Sequence, residues 1–433
     1  MNEARLKSSI VLRMIVIVLI ALFLLIPMAM IRGLIAERRE RRETAIAEVA
    51  GKWANPQTIV GPILTLPMSK TVRDEAGKES ITVERLQILP DSLEIAGVLG
   101  TEVRYRGIYE VVLYNSQLTA RGSFDLTKIS KETWNSVTPL WQDAYLTIGI
   151  SDLRGIKENV IVKWNSTELN AHGGVLPENA VRSGMTFAPS LDPSIQTYSF
   201  DFALNLNGSS ELSFAPTGTR THVSMRSTWP APSFIGTFLP DKRTVGPDGF
   251  TAEWTVLELN RNFPQFWLND QYEPTRCNFG VSLLLPVDHY QKTNRTTKYA
   301  IMIIALTFWA LFLSEVLARQ LLHPIQYTLM GFALVLFYLL LLSLSEHLGF
   351  DRSYLASSLS AWLLVTLYCY AVLSKKRLAV FVGALLLALY AFFYVLLQLE
   401  DYALLIGSLA LLVVLAAIMY LTRKVNWFSG SNE

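Results

Sequence analysis

The last third of this chain is dominated by apolar segments long enough to cross a lipid bilayer. They run over residues 299–318, 326–346, 354–374, 378–398 and 402–422, and short loops separate them. A helix needs about 20 predominantly apolar residues to cross the hydrocarbon core. The five segments therefore predict a C-terminal bundle of five transmembrane helices within residues 299–433, in which successive helices are antiparallel neighbours.

A sixth apolar segment lies near the N-terminus. Residues 14–31 carry no charge, and Arg5, Lys7 and Arg13 precede them. A cleaved signal peptide is the alternative, but its apolar core usually has about 7 to 15 residues before a small-residue cleavage site. Here the segment is longer, and RGLIAERRERRE follows it. We therefore predict an uncleaved N-terminal transmembrane anchor within residues 1–32.

Basic residues in the short loops predict the orientation. One side of the predicted bundle carries Arg319, Lys375, Lys376, Arg377, Arg423 and Lys424, and the other side carries only Arg352. An excess of Lys and Arg marks the cytoplasmic side. With six spans, both termini are then cytoplasmic and residues 33–298 lie outside. Basic residues also flank that long segment, but long domains cross the membrane largely regardless of charge.

Residues 33–298 have the pattern of a β-rich soluble domain with a leading helix. Residues 33–52 alternate Arg and Glu with apolar residues at helical spacing, which predicts a juxtamembrane helix or a segment that merely solvates the start of the domain. Period-two segments follow and predict an antiparallel, sandwich-like domain or a large curved sheet, so the fold class is a membrane protein of the α+β type. Further strands are predicted at residues 81–88, 93–98, 118–126, 145–151, 159–164, 253–259 and 279–285.

Two local patterns give sharper predictions. In EVRYRGIYEVVL the alternation places Val103, Tyr105, Tyr109 and Val111 on one strand face. Asn207-Gly208 lies between two alternating segments, and this dipeptide is a strong signal for a tight hairpin because both residues tolerate positive φ.

Searches for recognisable chemistry find little. The sequence has no dinucleotide or P-loop motif, no pair of histidines at zinc-binding spacing and no G-x-S-x-G. Its net charge of +2 gives no reason to expect nucleic acid as a partner. Cys277 and Cys369 are the only cysteines, and the predicted bilayer separates them, so no disulfide is expected. We expect no cofactor, no metal and no catalytic residues.

Aromatic and Arg residues in the β-rich part form a candidate binding surface. Trp229-Pro230-Ala231-Pro232 cannot lie in a central strand and predicts a rigid loop. Aromatic residues with Arg are typical of binding hot spots, and a buried corner of a sandwich is equally consistent. The candidate binding residues are Arg226, Trp229, Phe234, Trp254 and Arg261.

Asp288-His289-Tyr290 lies just before the second apolar segment. Adjacent residues of a strand point to opposite faces, so an acid–base pair is not favoured by strand geometry. Tyr at the headgroup level and basic side chains near lipid phosphates favour a membrane interface instead. The predicted interface residues are Asp288, His289, Tyr290, Lys292 and Arg295.

Ionisable residues within the predicted spans are candidates for function. These are Glu315, Glu346 and His347. The structural interpretation of Glu315 is an i,i+4 pair with Arg319. The functional alternative is a transport or lipid-handling site that uses these residues and the serines of the fourth span, Ser357, Ser358 and Ser360. No acid lies at the predicted midplane, which argues against a proton-driven transporter.

Several longer segments resemble the CreD family of inner-membrane proteins. They are GPILTLP, RSTWPAPSFIGTFLP, LNRNFPQFW, PVDHYQKTNRTTKYA and HPIQYTLMGFALVLFYLLLLSLSEHLGF. The resemblance extends over nearly the whole chain. It implies a bacterial inner-membrane protein with one N-terminal span, a large periplasmic domain and a C-terminal bundle. It also implies a role in cell-envelope integrity and in tolerance of envelope stress, but it carries over no catalytic residue.

The sequence thus predicts a non-enzymatic envelope protein that acts through its periplasmic domain. Its expected partners are the lipid bilayer and an envelope component or another inner-membrane protein. The alternative function is transport or lipid handling within the helix bundle. A membrane-bound hydrolase that uses Asp288 or His289 is the third hypothesis.

Overall fold

The computed structural model describes residues 10–73, 79–128, 137–176, 180–283, 289–318, 320–399 and 402–422. The chain divides into two compact units. The helical unit comprises residues 1–42 and 287–433, and the β unit comprises residues 43–286. The division differs from the predicted boundaries at both ends of the β-rich part, because residues 33–42 and 287–298 belong to the helical unit.

The helices account for most of the predicted spans. They are α1 (Ile10–Phe23), α2 (Leu25–Trp53), α3 (His289–Lys298), α4 (Ala300–Ala318), α5 (Pro324–Leu348), α6 (Phe350–Val372), α7 (Lys376–Gln398) and α8 (Ala403–Thr422). Four of the described segments are long and apolar enough to cross a membrane, and α3 with α4 makes a fifth if this pair, bent by 43°, is one span. The first four are Leu12–Trp53, α5, α6 and α7. A sixth span, at α8, stays a prediction.

The β unit contains two sheets. Its strands are β1 (Gln57–Arg73), β2 (Glu79–Ile88), β3 (Ser92–Arg106), β4 (Tyr109–Asp125), β5 (Thr138–Pro139), β6 (Tyr145–Ile150), β7 (Ile161–Trp164), β8 (Thr167–Asn170), β9 (His172–Gly173), β10 (Gly184–Phe187), β11 (Thr197–Ser209), β12 (Glu211–Phe214), β13 (Arg220–Ser227), β14 (Pro232–Gly236), β15 (Lys242–Gly246), β16 (Gly249–Leu257), β17 (Phe266–Leu268) and β18 (Phe279–Leu283). The ten-stranded sheet has the order β14-β18-β12-β1-β6-β10-β9, with β2, β5 and β17 off this path. The eight-stranded sheet has the order β15-β16-β13-β3-β4-β11-β7-β8.

The two sheets share one apolar core, as expected for a sandwich. Leu64 and Leu146 of the ten-stranded sheet belong to the same buried cluster as Leu93, Phe200 and Trp254 of the eight-stranded sheet. The prediction of an antiparallel fold was wrong in one respect, because β1 pairs with β12 and β13 pairs with β3 in parallel. The sheets are therefore mixed. Alternating side chains cannot reveal strand direction, since both arrangements have the same period of two.

The predicted face of EVRYRGIYEVVL is broken by a hairpin. The chain turns at Gly107-Ile108, where Gly107 has a φ of 63°, and Arg106 pairs directly with Tyr109. Cross-strand partners share a face, so Tyr105 lies beside Glu110 rather than on the face of Tyr109. The two-residue turn reverses the alternation that a single strand would have continued.

The predicted hairpin at Asn207-Gly208 was wrong. β11 continues through both residues, and Gly208 pairs with Tyr114 of β4. A Cβ at Gly208 would lie 2.2 Å from the Tyr114 hydroxyl oxygen, so this glycine makes room for a buried aromatic ring. The chain leaves the strand at Ser210, where φ is 58°, and enters β12 in the other sheet. Pairing with the long strand β4 thus overrides the local turn signal.

The N-terminal helices are packed parts of the helical unit as well as apolar segments. Leu24, Met28, Ile31 and Ile35 are buried at spacings of three and four residues, so they form one face of the helix. Gly331 of α5 receives this face, because a Cβ there would lie 2.2 Å from Leu24 Cδ1. The predicted anchor therefore packs specifically on α5.

Within the β unit, a charged pair holds the C-terminal end of α2. Arg154 donates to the Gly51 carbonyl, one of the last carbonyls of the helix, and to both carboxylate oxygens of Asp152. Asp152 also accepts from the Asn55 backbone N–H at 3.0 Å. The hydrogen bonds from Arg154 lower the pKa of Asp152 to about 2.

We predict that Asp152→Asn lowers the stability of the β unit by on the order of 1 kcal/mol at pH 6, a figure reduced for solvent screening of the exposed Arg154. The folded-state pKa lies below the unfolded value, so this stabilisation is present above about pH 4 and falls as the pH approaches 2. Thermal melts of the β-sheet signal at pH 6, 4 and 3 test it. A difference between variant and wild type that is equally large at pH 6 and pH 3 would contradict it.

Candidate functional site

The outward face of the eight-stranded sheet contains a row of small side chains. Strand register places Ser224, Ala96, Thr119 and Ala203 side by side on β13, β3, β4 and β11. Glu253 of β16 lies at one end of the row, opposite Ser224. Neighbouring strands lie about 4.8 Å apart, so the row extends about 19 Å across five strands.

Larger side chains flank this row on both sides. One flanking row contains Thr251, Arg226, Val98, Gln117 and Asn205 in register. The other contains Thr255, His222, Glu94, Arg121, Asp201 and Lys163. Same-face rows are about 6.8 Å apart along a strand, so a row of small residues between two rows of longer ones leaves a depression across the sheet.

This depression, which we call the trough, has a volume of about 860 Å³; the row that contains Arg226 lines it together with residues 158–161, and the row that contains His222 does not. Its floor is the row of Ser224, Ala96, Thr119 and Ala203, and its polar wall includes Gln117, Asn205, Arg226, Glu158 and Glu253. None of the described lining residues is aromatic. The trough therefore offers hydroxyls, amides and charges to a ligand, with no ring on which a ligand could stack.

The charged side chains of the trough differ in whether they have hydrogen-bond partners. Glu253 accepts from Lys242 Nζ at 3.3 Å, and Glu158 accepts from Asn205 Nδ2 at 3.1 Å. Within the described part of the chain, the exposed guanidinium of Arg226 has no ion pair and no hydrogen bond. An exposed guanidinium without a partner can bind a carboxylate or a phosphate in bidentate geometry.

Of the five candidate binding residues, only Arg226 lines the trough. Trp254 is 1% exposed and belongs to the shared core, where it contacts the rings of Phe234 and Phe279. Trp229 is buried beside the same core, and Pro232 begins the edge strand β14. Trp229, Phe234 and Trp254 thus have the contacts that the sandwich-corner interpretation requires.

Arg261 is also buried, and its hydrogen bonds link neighbouring loops. Its guanidinium donates to the carbonyls of Pro216 and Thr217 at 2.9 and 2.8 Å and to the side chain of Gln265. Gln265 in turn donates to the carbonyl of Leu89 at 2.9 Å. Burial lowers the pKa of Arg261 to about 10. These contacts leave Arg226 as the candidate whose position suits a ligand.

In the helical unit, Glu315 forms the centre of a buried cluster. Its carboxylate accepts from Arg13 of α1 at 3.2 Å and from the Tyr327 hydroxyl of α5 at 2.8 Å. The side chain of Glu315 is 4% exposed, whereas that of Arg13 is 32% exposed. The predicted partner, Arg319, lies outside the described residues. The observed partner is 302 positions away in the sequence.

Glu346 forms a second cluster of the same composition at the other end of α5. Its carboxylate lies 3.7 Å from Arg38 of α2 and accepts from the Tyr290 hydroxyl of α3 at 3.0 Å. His347, the next residue, is exposed. Each end of α5 thus has a glutamate paired with an arginine of the N-terminal helices and with a tyrosine.

The described members of the predicted interface set, from His289 to Arg295, lie in a short helix, α3, and not in a strand. Asp288 lies outside the described residues, and the side chain of His289 is not described. Tyr290 is buried, while Lys292 donates to Gln398 and Arg295 to the Leu399 carbonyl, both at 3.4 Å. Their lipid contacts stay a prediction, but their protein contacts fix α3 against the end of α7.

Sequence reasoning missed the trough and the partners of both glutamates. The row of small residues comes from four strands and becomes visible only through their register. The available signal was weaker: Ser224 and Arg226 alternate with buried Val223 and Met225 on β13. In the sequence, Arg13 and Arg38 are basic residues beside an apolar segment, and nothing in their spacing indicates Glu315 and Glu346 as their partners.

Comparison with known proteins agrees with this architecture. The model of the family described as "Inner membrane protein CreD" matches residues 9–428. The inner membrane protein CreD of Escherichia coli (strain K12) is 36% identical over 419 residues, which cover 95% of this chain and 92% of that protein. This chain belongs to the CreD family. A CreD family member is an inner membrane protein, in agreement with the several apolar helices.

A solved structure aligned with this CreD family member is the M1 zinc metallopeptidase from Deinococcus radiodurans. The alignment covers 46% of this chain and 42% of the peptidase, at 10% identity and a TM-score of 0.18. A score this low does not indicate a shared fold, and nothing about activity follows from it.

The unequal exposure of Arg13 and Glu315 leads to a prediction. Removal of a partner from a buried ion pair leaves an uncompensated charge. Arg13→Ala would leave the buried Glu315 carboxylate without its positively charged partner. Glu315→Gln, in contrast, leaves an arginine that can reach the membrane surface. We expect Arg13→Ala to be the more destabilising by about 2 kcal/mol, and the double variant to recover part of the loss. Thermal melts of the full chain in detergent test this, and equal losses would contradict it.

Proposed function

We propose that this CreD family member supports cell-envelope integrity and tolerance of envelope stress by binding a polar envelope component. The β unit would face the periplasm and bind that component in the trough. The observation that carries the proposal is a depression of about 860 Å³, lined by both polar and aliphatic residues, whose wall contains an arginine with no partner among the described residues. The family assignment supports the inner-membrane location of the binding protein.

Charge and chain path support a periplasmic β unit. Lys375, Lys376 and Arg377 lie where α6 is connected to α7, on one side of the bundle, and Arg352 at the start of α6 lies on the other. Arg38 and Tyr290 meet at Glu346, so both chain connections to residues 43–286 leave the helical unit at the same end of α5. An even number of crossings between the termini is consistent with that path.

The chemistry of the trough supports binding without catalysis. Its floor and walls combine hydroxyls, amides and charged groups with aliphatic side chains, which suits an extended ligand that has both hydrogen-bonding groups and apolar faces. His222, the base nearest to Ser224 along β13, already contacts the Thr255 hydroxyl at 3.2 Å through Nδ1. The trough is therefore better suited to hold a chain-like molecule than to activate a nucleophile.

Replacement of Arg226 tests the proposal. Arg226→Ala removes the unpaired guanidinium from an exposed position, so we expect loss of protection against envelope stress with a normal amount of inserted protein. Arg220→Ala is the matched control, because Arg220 is an exposed arginine on the same strand and face, outside the trough. Survival under a β-lactam in cells that lack the native protein is the measurement, with membrane content checked by immunoblot.

A second variant blocks the trough without removing a charge. Ala96→Trp puts a large side chain on the floor at an exposed strand position, where an aromatic residue is well tolerated. We expect an unchanged melting temperature and the same loss of protection. Full protection by both Arg226→Ala and Ala96→Trp, at wild-type protein levels, would contradict a role for the trough.

A further inference from the structure

A pocket of about 360 Å³ lies beside Glu315 in the helical unit. Its polar lining consists of Arg13, Glu315, His323 and Tyr327. The pocket is formed by α1, α4, α5 and the segment just before α5. Arg13 directly precedes the uncharged stretch of residues 14–31, so the pocket lies at the level of the membrane surface.

Arg13 is held in place by Glu315, and its guanidinium has further N–H donors. One nitrogen of the guanidinium, Nη1, donates to Oε1 of Glu315. The Tyr327 hydroxyl donates to the other carboxylate oxygen, Oε2. A guanidinium carries several N–H donors in a rigid fork. Since the side chain remains partly exposed, the other donors are available at the pocket. Glu315 and Tyr327 thus position the Arg13 guanidinium and leave its other N–H donors free for a ligand in the pocket.

His323 supplies a second donor. Its Nδ1 accepts from the backbone N–H of Ile325 at 3.3 Å and caps α5. A neutral imidazole with an accepting Nδ1 carries its proton on Nε2, so that atom donates outward. The pocket also borders the N-terminal end of α5, where the helix dipole is positive. Both features favour an anion.

The remaining wall is aliphatic. Val16, Ile17 and Ile20 follow Arg13 at spacings of three, four and seven residues, so they share its helix face and continue from it toward the membrane interior. An anionic head beside a guanidinium with a hydrocarbon tail along an apolar face is the arrangement of a phospholipid. A free phosphate would use only the polar half.

We infer that this pocket binds a glycerophospholipid, with its phosphate on Arg13 and His323 and the start of an acyl chain on Val16, Ile17 and Ile20. The inference goes beyond the proposed function of the trough and does not depend on it. It gives the Glu315 cluster a task besides helix packing, since the carboxylate aims the guanidinium at the headgroup.

Lipid binding to the full chain in detergent, measured by native mass spectrometry with added phosphatidylglycerol, tests the inference. Arg13→Gln should raise the apparent Kd roughly tenfold, as expected for loss of a charge-assisted hydrogen bond. The matched control is Arg38→Gln, which breaks the equivalent pair at the other end of α5 and should leave the Kd unchanged. Equal Kd values for both variants and the wild type would overturn the inference.

A second variant separates binding from stability. His323→Asp keeps a side-chain cap for α5 but has no N–H or O–H donor for a phosphate, so lipid affinity should fall several-fold at an unchanged melting temperature. If Arg13→Gln fails to fold, the His323 variant still tests whether the pocket binds the phosphate. On the wild type, diacylglycerol with the same acyl chains should bind more weakly than phosphatidylglycerol. Equal binding of diacylglycerol, or equally effective competition by inorganic phosphate, would overturn the assignment to a phospholipid.

Discussion

A carboxylate in or near the hydrocarbon region must be paired, and this requirement organises the helical unit. Glu315 and Glu346 are each buried with an arginine of the N-terminal helices and a tyrosine. Along a helix, Arg13 and Arg38 are about 37 Å apart, somewhat more than the roughly 30 Å of a bilayer core. The pair with Glu315 of α4 and the pair with Glu346 of α5 fix the N-terminal helices against sliding along the bundle. The segment that the sequence describes as an anchor is therefore a positioned element of the bundle, and its axial position determines where the chain leaves for the β unit.

The helices were predictable and their partners were not. Apolar length is a local property, so the segments at 326–346, 354–374 and 378–398 correspond closely to α5, α6 and α7. The partners of Glu315 depend on how distant helices pack, and a pair 302 positions apart leaves no periodic signal. Local reasoning proposed Arg319 because i,i+4 neighbours are the pairs that a single helix can reveal. The same limit applies to Glu346, whose partners come from α2 and α3.

The β unit illustrates the same distinction. Alternation located about half of the described strands, including β2, β6 and β16, because burial of one face imposes a period of two; it missed the long strand β1 and also β13. It failed where pairing competes with local preference, as at Asn207-Gly208, which β4 holds extended. The alternation within a single strand could not have revealed the trough. Ser224, Ala96, Thr119 and Ala203 come from four strands, one pair of them parallel, and only their register makes them a row. The sequence indicates Arg226 because of its aromatic neighbours along the chain, yet none of the described residues that line the trough with it is aromatic.

The account depends most on the side of the membrane that the β unit occupies. Leu259 is 93% exposed in that unit, and Ser374 is exposed in the segment between α6 and α7. In a background where Cys277 and Cys369 are replaced by Ser, single cysteines at these positions can be reacted with a membrane-impermeant maleimide. In cells with a permeabilised outer membrane and an intact inner membrane, Leu259→Cys should be labelled and Ser374→Cys should be protected until the inner membrane is lysed. Protection of Leu259→Cys together with labelling of Ser374→Cys would contradict the account.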